Sequence, residues 1–139
     1  MEAEVKCSVK LKVPFHDLDP LNIVWHGNYL KYFDQARQEL FAQAGIDLFK
    51  YYEEKQYLFP IIRSSVKHLY PLRYGEEFIS TAILREAGVK IVLDFEIKLI
   101  ENGRLAATGR GEQCALYAPK MEMELAIPEE IQEALWQLK

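Results

Sequence analysis

Cysteine is scarce: Cys7 and Cys114 are the only two in 139 residues. They stand too far apart and too isolated for a disulfide framework or a zinc knuckle. Both read as buried or half-buried thiols of a reducing compartment. No apolar run approaches the roughly 20 residues needed to cross a bilayer. The first residues lack the charged, apolar and small-residue succession of a secretion signal. A basic stripe is missing as well. Lys and Arg number 17 against 21 Asp and Glu, for a net charge of −4 and a pI near 5.4. A phosphate backbone rewards clustered positive charge, so nucleic acid is not expected as a partner. Repeats and low-complexity tracts are absent. These absences point to a cytoplasmic chain without membrane insertion, organised as a single domain over residues 1–139.

Apolar and aromatic side chains are plentiful, with eight Tyr, seven Phe and two Trp in a half-hydrophobic composition. A domain of this size buries roughly two thirds of its unfolded surface, so it needs no metal or disulfide staple. Residues 4–14 alternate, with Val5, Cys7, Val9, Leu11 and Val13 on one face and lysines and Ser8 on the other. Period two predicts a half-buried strand closed by Pro14. From Tyr29 the period becomes helical, and Tyr29, Phe33, Ala36, Leu40 and Ala44 form one stripe. Gly45 is the expected stop. A short helix at 46–55 precedes candidate strands at 61–70, 77–86, 89–100 and 104–118, with a tight turn at Asn102-Gly103. A terminal helix is expected from Pro128 to Leu138. One broad apolar helix needs a surface to cover it, and the economical answer is an α+β fold with a curved antiparallel sheet wrapped around the helix. Such sheets leave edges, which favours association of copies.

Polar chemistry concentrates between the first strand and the long helix. His16, Asp17, Asp19 and His26 lie within eleven positions, with Asn22, Trp25, Asn28 and Tyr29 among them. Free N–H groups at a helix start can hold developing negative charge. A carboxylate just upstream can serve as nucleophile or general base. The same Asp residues also suit plain turn formation and helix capping, and chemistry alone leaves both readings open.

The run FHDLDPLNIVWHGNYLKYFDQARQELFAQAG resembles the signature of the 4-hydroxybenzoyl-CoA thioesterase family, hotdog-fold proteins that include the Tol-Pal-associated acyl-CoA thioesterases. The matching residues are Asp17-Leu18-Asp19-Pro20, Ile23-Val24-Trp25-His26 and Tyr29, followed by Asp34, Ala36 and Arg37 on the helix. The resemblance implies hydrolysis of acyl-CoA to the free acid and CoA. It assigns Asp19 as the catalytic carboxylate and gives His26 a carbonyl-polarising backbone N–H. Trp25, Tyr29 and Lys90 then contact substrate, while Asp17 supports the loop by satisfying its amides. The family's usual Gly before Ile-Val is Asn22 here, a residue that tolerates positive φ and can keep the loop's shape. No cofactor or metal is implied. The expected partners are acyl-CoA, with an acyl carrier protein as an alternative thiol, and further copies of the chain in a homodimer or homotetramer.

Other readings are weaker. His16, Asp17, Asp19 and His26 show no metal-ligand spacing. Asp-x-Asp also occurs in phosphatases, but those need a doubly wound parallel sheet. Ser64 and Ser65 lack a nucleophile elbow. Cys114 and His68 read as packed strand residues. The serious rival is a hotdog module that binds or senses acyl-CoA or acyl carrier protein without turnover; a retained Asp19 argues against it.

Overall fold

The computed structural model describes residues 4–138. Five antiparallel strands form the main sheet: β1 (Lys6–Lys12), β3 (Ile61–His68), β4 (Glu77–Ala87), β5 (Ile91–Leu99) and β6 (Leu105–Gln113). Their order is β1-β4-β5-β6-β3, which leaves β1 and β3 as the two edges. A second small sheet joins β2 (Tyr57–Leu58), β7 (Leu116–Tyr117) and β8 (Glu122–Met123). The long helix α1 spans Asn28–Gln43 and packs across β1 and β4, touching the near side of β5. Helices α2 (Leu48–Lys55) and α3 (Glu129–Trp136) flank it.

The expected stripe does cover the sheet. Tyr29, Phe33, Ala36 and Leu40 are all buried against Phe78, Leu93, Phe95 and Ile97. Phe33 stacks on Phe95 with centroids 4.7 Å apart and planes at 12°. Glycine admits this closeness on β6. A Cβ at Gly109 would stand 2.4 Å from the Phe33 ring, and one at Gly111 would stand 2.6 Å from Arg37 Nη2. The end of α1 is a Schellman motif, in which Ile46 N–H donates to the Phe41 carbonyl and Gly45 N–H to that of Ala42.

Two expectations about strand punctuation need correction. The stretch read as one strand at 104–118 divides into β6 and β7, because Cys114 N–H turns away to the Pro60 carbonyl. The Asn102-Gly103 turn is a longer loop than a two-residue hairpin. Gly103 alone takes a left-handed φ of 68°, and its N–H returns to the Leu99 carbonyl.

Register fixes which residues share the face beneath α1. Leu93, Gly111 and Ser64 align across three strands, as do Phe95, Gly109 and Val66, and Ile97, Ala107 and His68. Because Phe95 packs under the helix, Ser64, Val66 and His68 point to the same concave side. Helix α1 sits toward β1 and β4, so β6 and β3 frame a cleft along its other flank.

Candidate active site

The loop from Phe15 to Gly27 is a compact hairpin. Leu18 bridges Val24, and Trp25 N–H donates to the Asp17 carbonyl over 2.9 Å. At its tip, Asp19-Pro20-Leu21-Asn22 makes a turn closed by Asn22 N–H to the Asp19 carbonyl, 3.0 Å. Asp at the first position and Pro at the second suit this geometry. Asn22 takes φ 64°, as expected for a residue standing where the resemblance places Gly. Asp19 Oδ1 accepts the Leu21 N–H at 2.8 Å, fixing the carboxylate on the turn. Asp19 is half-buried, and Oδ2 has no hydrogen-bond partner among the described residues. Its turn-forming role is therefore real, and it leaves one oxygen available.

Asp17 differs from expectation. Its side chain caps no loop amide. It is 3% exposed and accepts from Lys31 Nζ and Tyr32 Oη, each at 2.6 Å. Burial alone would raise its pKa; the hydrogen bonds and charge of Lys31 and Tyr32 outweigh that and hold the carboxyl below its ordinary value. Amide support comes instead from its backbone carbonyl, which also takes Asn28 Nδ2 at 2.9 Å. Tyr32 is tied down in turn, its carbonyl accepting from buried Ser80 Oγ at 2.9 Å. The loop is thus clamped to the first turns of α1.

At the head of α1, Asn28 N–H turns back to the Trp25 carbonyl and Tyr29 N–H to that of His26. The His26 and Gly27 N–H groups donate to no backbone or side-chain acceptor among the described residues. They sit at the positive end of the helix dipole, where a polarised carbonyl oxygen is stabilised. Trp25, 50% exposed, lays its ring over Gly27, where a Cβ would come within 2.3 Å, and its centroid lies 5.2 Å from that of His26. Tyr29 is 3% exposed and its hydroxyl accepts the Leu72 N–H, so it backs the site from inside and does not line an open pocket.

His68 joins this group, which its strand position had concealed. It is exposed, with its ring centroid 4.6 Å from Tyr29 and 6.5 Å from His26. Only strand parity hinted at it, and parity does not say which face meets the helix. Lys90 is not part of this cluster within one chain. It immediately precedes β5 at the far end of the sheet, seven residues or ~23 Å along the strand from the His68 row. Its Nζ is already paired with Glu112. The largest groove, about 660 Å³, lies elsewhere, between the C-terminal half of α1 and α2. It contains neither Asp19 nor His26. No cluster of potential metal ligands occurs among the described residues, and no helix there is long and apolar enough to cross a membrane.

A model described as the thioesterase-like superfamily matches residues 13–135. The chain belongs to that superfamily. Among solved structures, this superfamily member resembles a 1,4-dihydroxy-2-naphthoyl-CoA thioesterase from Synechocystis, with TM-score 0.88 and 17% identity over 96% of this chain and 97% of that one. It also resembles a variant of 4-hydroxybenzoyl-CoA thioesterase complexed with 4-hydroxybenzoyl-CoA, with TM-score 0.85 and 16% identity over 94% and 99%. These likenesses establish the hotdog fold. A 1,4-dihydroxy-2-naphthoyl-CoA hydrolase of Nostoc punctiforme is 28% identical over 90 residues, 64% of this chain. That match spans 61% of the Nostoc protein, less than two thirds of its length. The relatives named here do not bear on the Tol-Pal-associated branch.

Proposed function

We propose that this thioesterase-superfamily chain hydrolyses acyl-CoA thioesters to the free acid and CoA, with Asp19 as the reacting carboxylate. The observation that carries the reading is the pair of unbonded amides of His26 and Gly27, on the same clamped hairpin as an Asp19 oxygen without a partner. The thioester carbonyl accepts from the His26 N–H, so negative charge developing on its oxygen meets the helix dipole. Asp19 Oδ2 then attacks the carbonyl carbon, expelling CoA as thiolate and leaving a mixed anhydride that water opens, or it takes a proton from the attacking water. Either route consumes one water and ends in acid and thiol. Trp25 covers the thioester, and Asp17 and Asn22 keep the loop in shape. Lys90 can enter such a site only from a second copy, which fits a homodimer or homotetramer. CoA is the favoured thiol over an acyl carrier protein because the relatives named above act on CoA esters.

The test is thiol release from short, long and aromatic acyl-CoAs by the native protein and by Asp19→Asn. A fall of roughly 100-fold or more in the variant is expected for loss of a nucleophile or base. Tight acyl-CoA binding without turnover in either protein would sink the hydrolase and leave the sensing module.

A further inference from the structure

Arg37 is the anomaly of the cleft beside α1. It is 8% exposed, and its Nε is the one buried side-chain nitrogen or oxygen without a hydrogen-bond partner among the described residues. Its Nη1 is taken by Asp34, whose own side chain is 58% exposed. Leaving a buried guanidinium N–H unpaired is costly, so such a group in a native fold calls for a partner. Arg37 lines a cleft of about 110 Å³ whose other walls are Leu30, Phe33 and Phe95, with Ser64 and Gly111 at its side. That volume equals a few waters' share of liquid, roughly 30 Å³ each.

The guanidinium is set up for one kind of guest. With Nη1 engaged, the remaining Nε and Nη2 form the side-on fork that grips a carboxylate with two parallel hydrogen bonds. Gly111 lets the guanidinium lie close against β6, since any Cβ there would stand 2.6 Å from Nη2. The charged side chains along the cleft are Asp34, Arg37 and Arg110, with Asp34 paired to Arg37 and Arg110 paired to Asp94. The unpaired guanidinium N–H therefore calls for an acceptor, while the walls are apolar and suit methylenes. The cleft also lies further along the same strand and helix as the reacting end. His68 and Ser64 are four residues apart on one face of β3, about 13 Å. Nine residues of helix from Asn28 to Arg37 give about the same span, shortened because the Arg side chain leans back toward the helix start. A five- or six-carbon chain of about 5–6 Å, with a hydrogen bond of about 2.9 Å at each end, covers that shortened span.

We propose that Arg37 binds the distal carboxylate of an ω-carboxyacyl group, so that CoA monothioesters of short dicarboxylic acids are preferred substrates. This rests on the hydrolase reading for the position of the thioester, and it adds the identity of the acyl group. Asp34 positions the fork, Leu30 and Phe33 hold the methylenes, and the orphaned Nε gains its acceptor when substrate enters.

The experiment compares glutaryl- and adipyl-CoA with valeryl- and hexanoyl-CoA, by kcat/KM in the native protein and by calorimetric binding to Asp19→Asn. A charge-assisted bidentate contact predicts a preference of roughly 10- to 100-fold for the carboxylated member of each pair, in turnover and in binding. In Arg37→Met that selectivity ratio falls toward one, and in Arg37→Lys it recovers only in part, because the fork is gone. If the methionine variant does not fold, the native and lysine ratios decide. Equal rates on both members of each pair, with turnover still dependent on Asp19, overturn the carboxylate subsite and leave the hydrolase standing. Selective binding without any turnover supports the subsite and sinks the hydrolase. Absence of selectivity combined with weaker self-association of Arg37→Met overturns it in favour of a contact between copies.

Discussion

Asp17 shows how one buried charge can hold a reactive loop. Its carboxylate meets Lys31 and Tyr32, both from the first turn and a half of α1, while its carbonyl holds Trp25 and Asn28. Hydrogen bonds to a charged group contribute about 1.5–3 kcal/mol each, and removing one partner of a buried set leaves the others unpaired. Asp17→Asn is therefore expected to lower stability by about 2–4 kcal/mol in a urea titration. The pH dependence follows from the lowered pKa. A carboxyl depressed in the folded state stabilises fully above its unfolded value, about 3.9, and loses that contribution as pH falls through the lower folded value. The gap between native protein and Asp17→Asn should be constant from about pH 5 upward and should shrink below about pH 4. A gap that instead narrows between pH 6 and 8 would assign the effect to another group.

The contact between α1 and β6 depends on two missing side chains. A Cβ at Gly109 would meet the Phe33 ring at 2.4 Å and the Ser65 carbonyl oxygen at 2.6 Å. Backbone on one side and a stacked ring on the other leave nothing flexible to yield. Gly109→Ala should destabilise by about 1–3 kcal/mol, the usual cost of overpacking. Gly88→Ala, where a Cβ would meet nothing within 4 Å, should be neutral or stabilising by less than about 1 kcal/mol. Equal effects at the two positions, measured by chemical denaturation, would mean the helix stands off further than described. At this scale the periodicities were legible: α1 and the strands follow from period 3.6 and period two, and the positive φ of Asn22 from the resemblance, which puts Gly there. Less visible were features that depend on which elements meet. His68 became a neighbour of His26 only through the β3–β6 register, and Arg37, quoted in the resemblance without a role, shows its burial only where Gly111 lets it pack against β6. Sequence spacing carries no information on such cross-element distances.

The two edges of the main sheet are treated differently. On β1, Lys6, Lys10 and Lys12 are all exposed, the kind of charged edge that resists pairing. On β3 the exposed residues include Ile61 and Ile62, 48% and 49% accessible, beside Leu30 of α1. An exposed antiparallel edge with apolar neighbours invites a second copy, and a two-fold axis at Ser64, normal to the sheet, would pair residues that face the same way. It would set Arg63 opposite the partner's Ser65 and Lys67 opposite the partner's Ile61, keeping like charges apart and small hydroxyls at the axis. It would also close the open flank of the cleft beside α1. The expected consequence is a dimer in light scattering that Ser65→Lys drives toward monomer, because each new ammonium group faces the partner's Arg63 across the axis. Ser65→Thr, which keeps the hydroxyl and suits a strand, should remain dimeric. If the site is completed across the axis, kcat/KM should fall with the dimer fraction as Ser65→Lys is diluted. A native protein that scatters as a monomer, or a lysine variant that stays fully dimeric, would place the association elsewhere and leave β3 a bare edge.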